Sequence, residues 1–265
     1  MEWIQVIVLA VVQGVSEFLP VSSSGHLLML PHVFGWPYQG IEFDIALHLG
    51  SLIAVCSYFR ADLKQLYAGC IDVVHSRYQS NNAHLCLTLV IATLPILVVG
   101  ALFRTELLDS ARTPLMVGIS MVCFGLLLGI ADQYHRGNKY VTELTFGSAL
   151  LIGVAQVFAL VPGAGQSAVT ITAGLLLGLH RQSAARFAFL LLIPAIVFAC
   201  IAEVIEHAGQ VMQIDYRQAI VAVTITAVTA YLSIHALMVF IHRVGLMPFV
   251  IYRLAAGAAV LVWLV

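Results

Sequence analysis

Between Gln13 and His26, an apolar N-terminal stretch carries an amide, a carboxylate, three hydroxyls and an imidazole, from Gln13, Glu17, Ser22, Ser23, Ser24 and His26. Hydrocarbon cannot solvate such groups, and ionisable side chains at membrane depth usually line a substrate or ion path. On a helix, Gln13 and Glu17 lie four residues apart on one face, so amide and carboxylate converge on one cation or one water. Ser23 and His26 are three apart, a spacing that predicts an imidazole within reach of the hydroxyl as base or acid. Pro20 and Gly25 break or end a helix and leave main-chain N–H groups unpaired, which suits an anion. Nucleophile, proton shuttle, amide donors and carboxylate are the parts of a phosphoryl-transfer site. The metal role falls to Glu17: magnesium suits one carboxylate together with substrate phosphate oxygens, and calcium is the alternative divalent cation. Taken singly, each group has a plainer use, since a run of serines commonly caps a helix and a buried carboxylate or imidazole can be a structural hydrogen-bonding group.

The elements that position these groups must be membrane elements. Of the 265 residues, 61% are hydrophobic and only 9% are charged, where a soluble domain carries about 25% charged residues. Mean hydropathy is +1.00. The expected class is an all-α polytopic membrane protein, read as one membrane domain over residues 1–265. A net charge of −1 gives no reason to expect nucleic acid as a partner. The first residues, MEWIQVIVLAVVQG, lack the basic leader and small-residue cleavage site of a secretory signal and read as mature protein. Cys56, Cys70, Cys86, Cys123 and Cys200 are scattered without a C-x-x-C spacing and read as packing residues.

Apolar runs near 43–59, 85–103, 114–131, 187–205, 218–240 and 248–265 predict six full spans. Two further apolar segments are interrupted: 3–34 at Pro20 and the serines, and 145–179 at Pro162, Gly163 and Gly165. Both predict re-entrant helical hairpins, because non-helical backbone at that depth must be buried in protein or face a wet cavity. Setting Pro20 against Pro162, and Phe43–Val55 against Phe187–Ala199, aligns the two halves at nearly one offset. Repeat one is expected over about 1–132 and repeat two over about 145–265, each a hairpin plus three spans. An odd number of crossings per half makes the repeats inverted, with a site where the broken elements meet.

Loops 60–84, 132–143, 180–186 and 241–247 fall on one side and hold Arg60, Lys64, Arg77, Arg136, Lys139, Arg181, Arg186 and Arg243. The other side holds Arg104, Arg112 and Arg217, while Arg253 lies inside the last span. The basic side is expected to be cytoplasmic, with both termini and the mouth of the first hairpin outward, toward the periplasm or cell exterior of a bacterium. Arg181 and Arg186 then serve as orientation anchors.

The run QGVSEFLPVSSSGH resembles the bacterial undecaprenyl pyrophosphate phosphatases of the bacitracin-resistance type, whose motifs read E/Q-x-x-x-E and FLPVSS-T/S-GH. The likeness continues through FDIALHLGSLIAV, ALVPGAGQSAVTITAGLLLGLHR and PFVIYR, and so covers nearly the whole chain. It implies a polytopic enzyme of the bacterial cytoplasmic membrane that removes the terminal phosphate of a polyprenyl diphosphate and recycles the carrier lipid of cell-wall synthesis. Carried over, Glu17 sits in the acidic motif, Ser23 is the nucleophile and His26 its proton partner. Gln13, Ser22, Ser24, Gly163, Gln166, Ser167, Thr170 and Arg253 are the candidate substrate-binding residues; Arg253 is expected either at phosphate or paired with Glu203 or Asp44. His48 stands where the family often has glutamine and adds a titratable group near the site.

The second motif departs from the family pattern P-G-x-S-R-S-x-x-T, because its serine is Gly165 and its arginine is Gln166. Arginine offers fixed charge and bidentate donors to phosphate, whereas glutamine offers a neutral amide. Losing such a group commonly costs about 10²-fold to 10³-fold in rate. Two other functions therefore stay open: a carrier or flippase for polyprenyl phosphate that has lost hydrolysis, and a phosphatase for a different lipid phosphate.

Overall fold

The computed structural model describes residues 1–134, 137–206 and 215–264, with main chain only over 104–111. Arg136 and the side chain of Arg104 lie outside the described residues. The described chain is helical throughout, joined by turns and one isolated bridge between Lys139 and Leu179. In chain order the helices are α1 (Trp3–Phe18), α2 (Ser23–Phe34), α3 (Ile41–Tyr58), α4 (Arg60–Val74), α5 (Asn81–Ala111) and α6 (Pro114–Tyr134). There follow α7 (Phe146–Gln156), extended by a 3₁₀ turn over Val157–Leu160, then α8 (Gln166–Leu176), α9 (Arg181–Glu206), α10 (Tyr216–Val244) and α11 (Met247–Trp263).

Among the described residues five helices are long and apolar enough to cross a membrane: α3, the Asn81–Phe103 part of α5, α6, α9 and α10. They match five of the six expected spans. The segment expected as the sixth span, 248–265, forms α11, an apolar helix of 17 residues that reaches about 25 Å at 1.5 Å per residue. It packs closely on its neighbour. A Cβ placed on Gly118 would meet the Gly257 carbonyl at 3.2 Å, and one on Gly257 would meet the Gly118 carbonyl at 3.0 Å, so α6 and α11 pack glycine on glycine. Close backbone approach of this kind replaces the hydrophobic drive that lipid does not supply. One correction concerns 60–84, which was expected to be a loop. It contains α4, which Asp62 ties to α9 through Arg186.

α9 is the centre of the bundle. Phe187, Phe189, Leu190, Leu191 and Leu192 are all buried, as a helix apolar on every face requires. Phe18 of α1 meets Phe189 edge to face, with ring centroids 5.4 Å apart, and this anchors the end of the first broken segment on the core.

Both interrupted segments are helix, break, helix. α1 stops at Leu19 and α2 begins after Ser22; α7 and its 3₁₀ turn stop at Val161 and α8 begins after Gly165. The residues that restart the two helices share a backbone state: Ser22 has φ 74° and ψ 97°, and Gly165 has φ 78° and ψ 118°. Glycine takes that region freely, but serine pays strain for it, so both helices restart from a residue at positive φ.

All four segments expected on one side gather at one end, joined by the Arg181–Asp132 and Arg186–Asp62 ion pairs and by Leu246 N–H on Asp132. The two arginines, expected as orientation anchors, are bound to carboxylates there. At the opposite end, Gln218 donates to the Met1 carbonyl at 2.8 Å.

Candidate functional site

The two breaks meet. A Cβ on Gly165 would fall 3.0 Å from Ser22 Cα, and one on Gly25 would fall 3.4 Å from Gly163 Cα, so the first turns of α2 and α8 approach main chain to main chain. The first N–H groups of a helix have no partner within it, and each terminus carries about half a positive charge. Two such termini side by side form an anion-attracting surface made of backbone alone.

Hydrogen bonds lace this junction. Ser167 Oγ donates to the Leu19 carbonyl at 3.2 Å, from the second hairpin to the first. Arg253, fully buried, donates to the carbonyls of Gly163 (2.8 Å), Met121 (3.3 Å) and Pro20 (3.4 Å). Thr170 Oγ1 donates to the Gln166 carbonyl at 2.7 Å, back along its own helix. Ser167 and Arg253 thus tie the breaks together, with three of the five Arg253 N–H groups engaged, and Thr170 donates back along α8. Arg253 does not pair with Asp44, which accepts from Tyr38 (2.7 Å) and Gln39 (2.8 Å). A buried guanidinium needs acceptors, and the carbonyls freed at two breaks supply them.

Around the junction stand the polar side chains of the first hairpin. Ser23 Oγ donates to Glu17 Oε2 at 2.5 Å, and Gln13 Nε2 donates to the same oxygen at 3.1 Å. The i, i+4 reading of Gln13 and Glu17 on one face therefore holds. Gln13 also reaches Ser51 Oγ of α3 at 3.4 Å. Glu17 is buried, Ser23 half-buried and Ser24 exposed. Ser22 caps α2 by accepting from Gly25 N–H at 3.3 Å.

The expected Ser23–His26 pair gives way to a different arrangement. His26 Nδ1 lies 2.6 Å from the Ser22 carbonyl, and Nε2 lies 2.6 Å from Tyr252 Oη of α11. Ser23 is the first residue of α2, where the chain has just left a non-helical turn, and its hydroxyl faces back to α1. The carboxylate, not the imidazole, is the group that touches the serine. Tyr252 was not singled out from sequence; its place in PFVIYR, next to Arg253, is the signal that marks it.

Four amides have buried atoms without a hydrogen-bond partner among the described residues: Gln13 and Gln39 at Oε1, Gln166 at Nε2 and Gln156 at both atoms. Gln166 opens α8 at the junction, so an unpaired donor sits where the family motif has arginine. Beyond Ser24 a cavity of about 510 Å³ runs between α2, α3, the 3₁₀ turn and the far end of α9. Leu27, Leu160 and Pro162 give it apolar walls, while Asp44, His48 and Arg112 give it a polar floor. His48 thus faces the cavity, with Nδ1 2.8 Å from the Asp44 carbonyl.

No group of three or more His, Cys, Asp or Glu side chains able to hold a metal occurs among the described residues. The donor set fits only a cation that takes one carboxylate and completes its shell with substrate oxygens and water. Both bonds to Glu17 fall on Oε2, which leaves Oε1 for that purpose.

Residues 6–259 match the family model described as bacitracin resistance protein BacA. The chain is 41% identical over 264 residues to an undecaprenyl-diphosphatase of Hahella chejuensis, covering 100% of this chain and 99% of the relative. It is 42% identical over 265 residues to undecaprenyl-diphosphatase 2 of Stutzerimonas stutzeri, covering 99% and 98%. An undecaprenyl-diphosphatase of Alteromonas mediterranea is 41% identical over 261 residues, covering 98% of each.

Proposed function

Because the chain belongs to the bacitracin resistance protein BacA family, we propose that it hydrolyses undecaprenyl diphosphate to the monophosphate and inorganic phosphate. One observation carries the reading at the level of atoms: Ser23 Oγ donates to Glu17 Oε2 at 2.5 Å beside two abutting helix N-termini. Glu17 is placed to take the serine proton as Oγ, or a water held in its stead, attacks the distal phosphorus. The first-turn N–H groups of α2 and α8, with Gln166 Nε2, receive the negative charge that grows on the phosphoryl oxygens. The bond from that phosphorus to the bridging oxygen breaks, the lipid leaves as monophosphate, and a serine-bound phosphate is released by water. Magnesium, or calcium, held by Glu17 Oε1 and phosphate oxygens would supply further positive charge. The apolar walls of the cavity suit the first isoprene units, and its polar floor suits the headgroup.

In the membrane we place the hairpins α1–α2 and α7–α8 as re-entrant elements of two inverted repeats, over about 1–132 and 145–265. The shared positive φ at Ser22 and Gly165 and the gathering of the basic loops at one end support this placement. The basic end faces the cytoplasm of a bacterium and the cavity opens outward, where the spent carrier lipid is produced.

The test is phosphate release from a polyprenyl diphosphate by purified protein with magnesium, beside Glu17→Ala and beside an EDTA-treated sample. Release by the native chain alone supports the reading, and release equal to Glu17→Ala sinks it. Gln166 in place of arginine favours a second reading, a carrier that binds polyprenyl phosphate without cutting it. Transport between leaflets in the absence of phosphate release identifies that case.

A further inference from the structure

α11 reaches the junction with two consecutive side chains. Arg253 holds the Gly163 and Pro20 carbonyls, and Tyr252 holds the imidazole of His26. The two rings stack, with centroids 5.6 Å apart and planes 12° from parallel. A carbonyl can only accept, so the 2.6 Å contact of His26 Nδ1 with the Ser22 oxygen requires the hydrogen on Nδ1. In the neutral imidazole the lone pair is then on Nε2, and the Tyr252 hydroxyl is the group that donates to it. Both ring nitrogens are engaged, and neither touches Ser23.

We propose that Tyr252 is a positioning residue of the site: it fixes His26 as the Nδ1–H tautomer, with Nε2 as the nitrogen that exchanges a proton during the reaction. Tyr252 keeps 45% of its surface exposed, so its hydroxyl can swing off Nε2 and leave that nitrogen to a water or a phosphate oxygen. The Ser22 carbonyl anchors the opposite nitrogen, and it belongs to the residue whose positive φ turns the chain into α2. Tautomer and hairpin geometry are therefore coupled: moving the Ser22 peptide moves the imidazole.

The kinetic half of this inference rests on the phosphatase reading, and the spectroscopic half does not. The experiment uses full-length protein with ¹⁵N-labelled histidine, with the His26 signals assigned by their loss in His26→Gln. The expected native spectrum shows the Nδ1–H tautomer at neutral pH, and Tyr252→Phe shifts the imidazole toward a mixture. In the phosphate-release assay Tyr252→Phe is expected to lower kcat by about tenfold with KM within about twofold, and to add no loss in a His26→Gln background. An Nε2–H tautomer in the native protein overturns the proposal, as does an unchanged kcat in Tyr252→Phe or a loss that adds fully to that of His26→Gln. Should the native chain release no phosphate, the hydrolytic function falls, while the tautomer measurement still decides what Tyr252 does. Should Tyr252→Phe fail to fold, the ¹⁵N shift of Nε2 in the native protein decides: a hydrogen-bonded acceptor nitrogen supports the proposal, and a free one overturns it.

Discussion

Gly165 rests against Ser22: a Cβ on the glycine would lie 3.0 Å from Ser22 Cα, 3.1 Å from its Cβ and 3.2 Å from its nitrogen. Two residues 143 positions apart, both at positive φ, thus form the seam on which the helix N-termini of both hairpins are aligned. The serine found here in the family pattern is absent, and the seam is correspondingly tight.

Gly165→Ala is expected to destabilise the protein by about 2 kcal/mol, because it combines a left-handed backbone with a main-chain contact. Thermal unfolding in detergent, set against the cavity-facing control Ala159→Ser, measures it. A midpoint equal to that of the native chain would mean that the two breaks are not in contact.

Gln166→Arg should raise phosphate release by about 10²-fold by returning fixed charge to the first turn of α8. The change adds bulk only at a half-buried position whose donor atom is already unpaired. Activity equal to the native level would show that residue 166 points away from the phosphate.

Glu17 and Ser23 should behave as one unit. Glu17→Gln and Ser23→Ala are each expected to lower kcat by about 10²-fold or more, and the double variant to be no worse than the poorer single one. Additive losses would mean that the carboxylate acts on something other than the serine proton, such as a bound cation alone.

Arg253→Met is expected to cost about 3 kcal/mol of stability, since it removes a buried cation and leaves the Gly163, Pro20 and Met121 carbonyls without it. KM of the folded fraction should stay near native. A variant of native stability with a sharply raised KM would instead make Arg253 a phosphate ligand.

Much was legible in the chain itself. Composition determined a membrane protein, because so few charges cannot cover a soluble surface. Pro20 and Pro162 located the two breaks only together with the serines and glycines beside them, since Pro31, Pro95 and Pro194 lie within continuous helices. Gln13 and Glu17 were placed on one face correctly, because helical periodicity is a local rule and both lie inside α1. That rule fails at Ser23 and His26, where the chain has only just re-entered a helix and the serine turns toward α1. Which group would touch the serine was decided by the tertiary structure, as were the burial of Arg253 between two hairpins and the capture of His26 by Tyr252. Those contacts join residues up to 233 positions apart, and a buried cation or imidazole takes whichever acceptor or donor the packing brings to it, information that no local spacing contains.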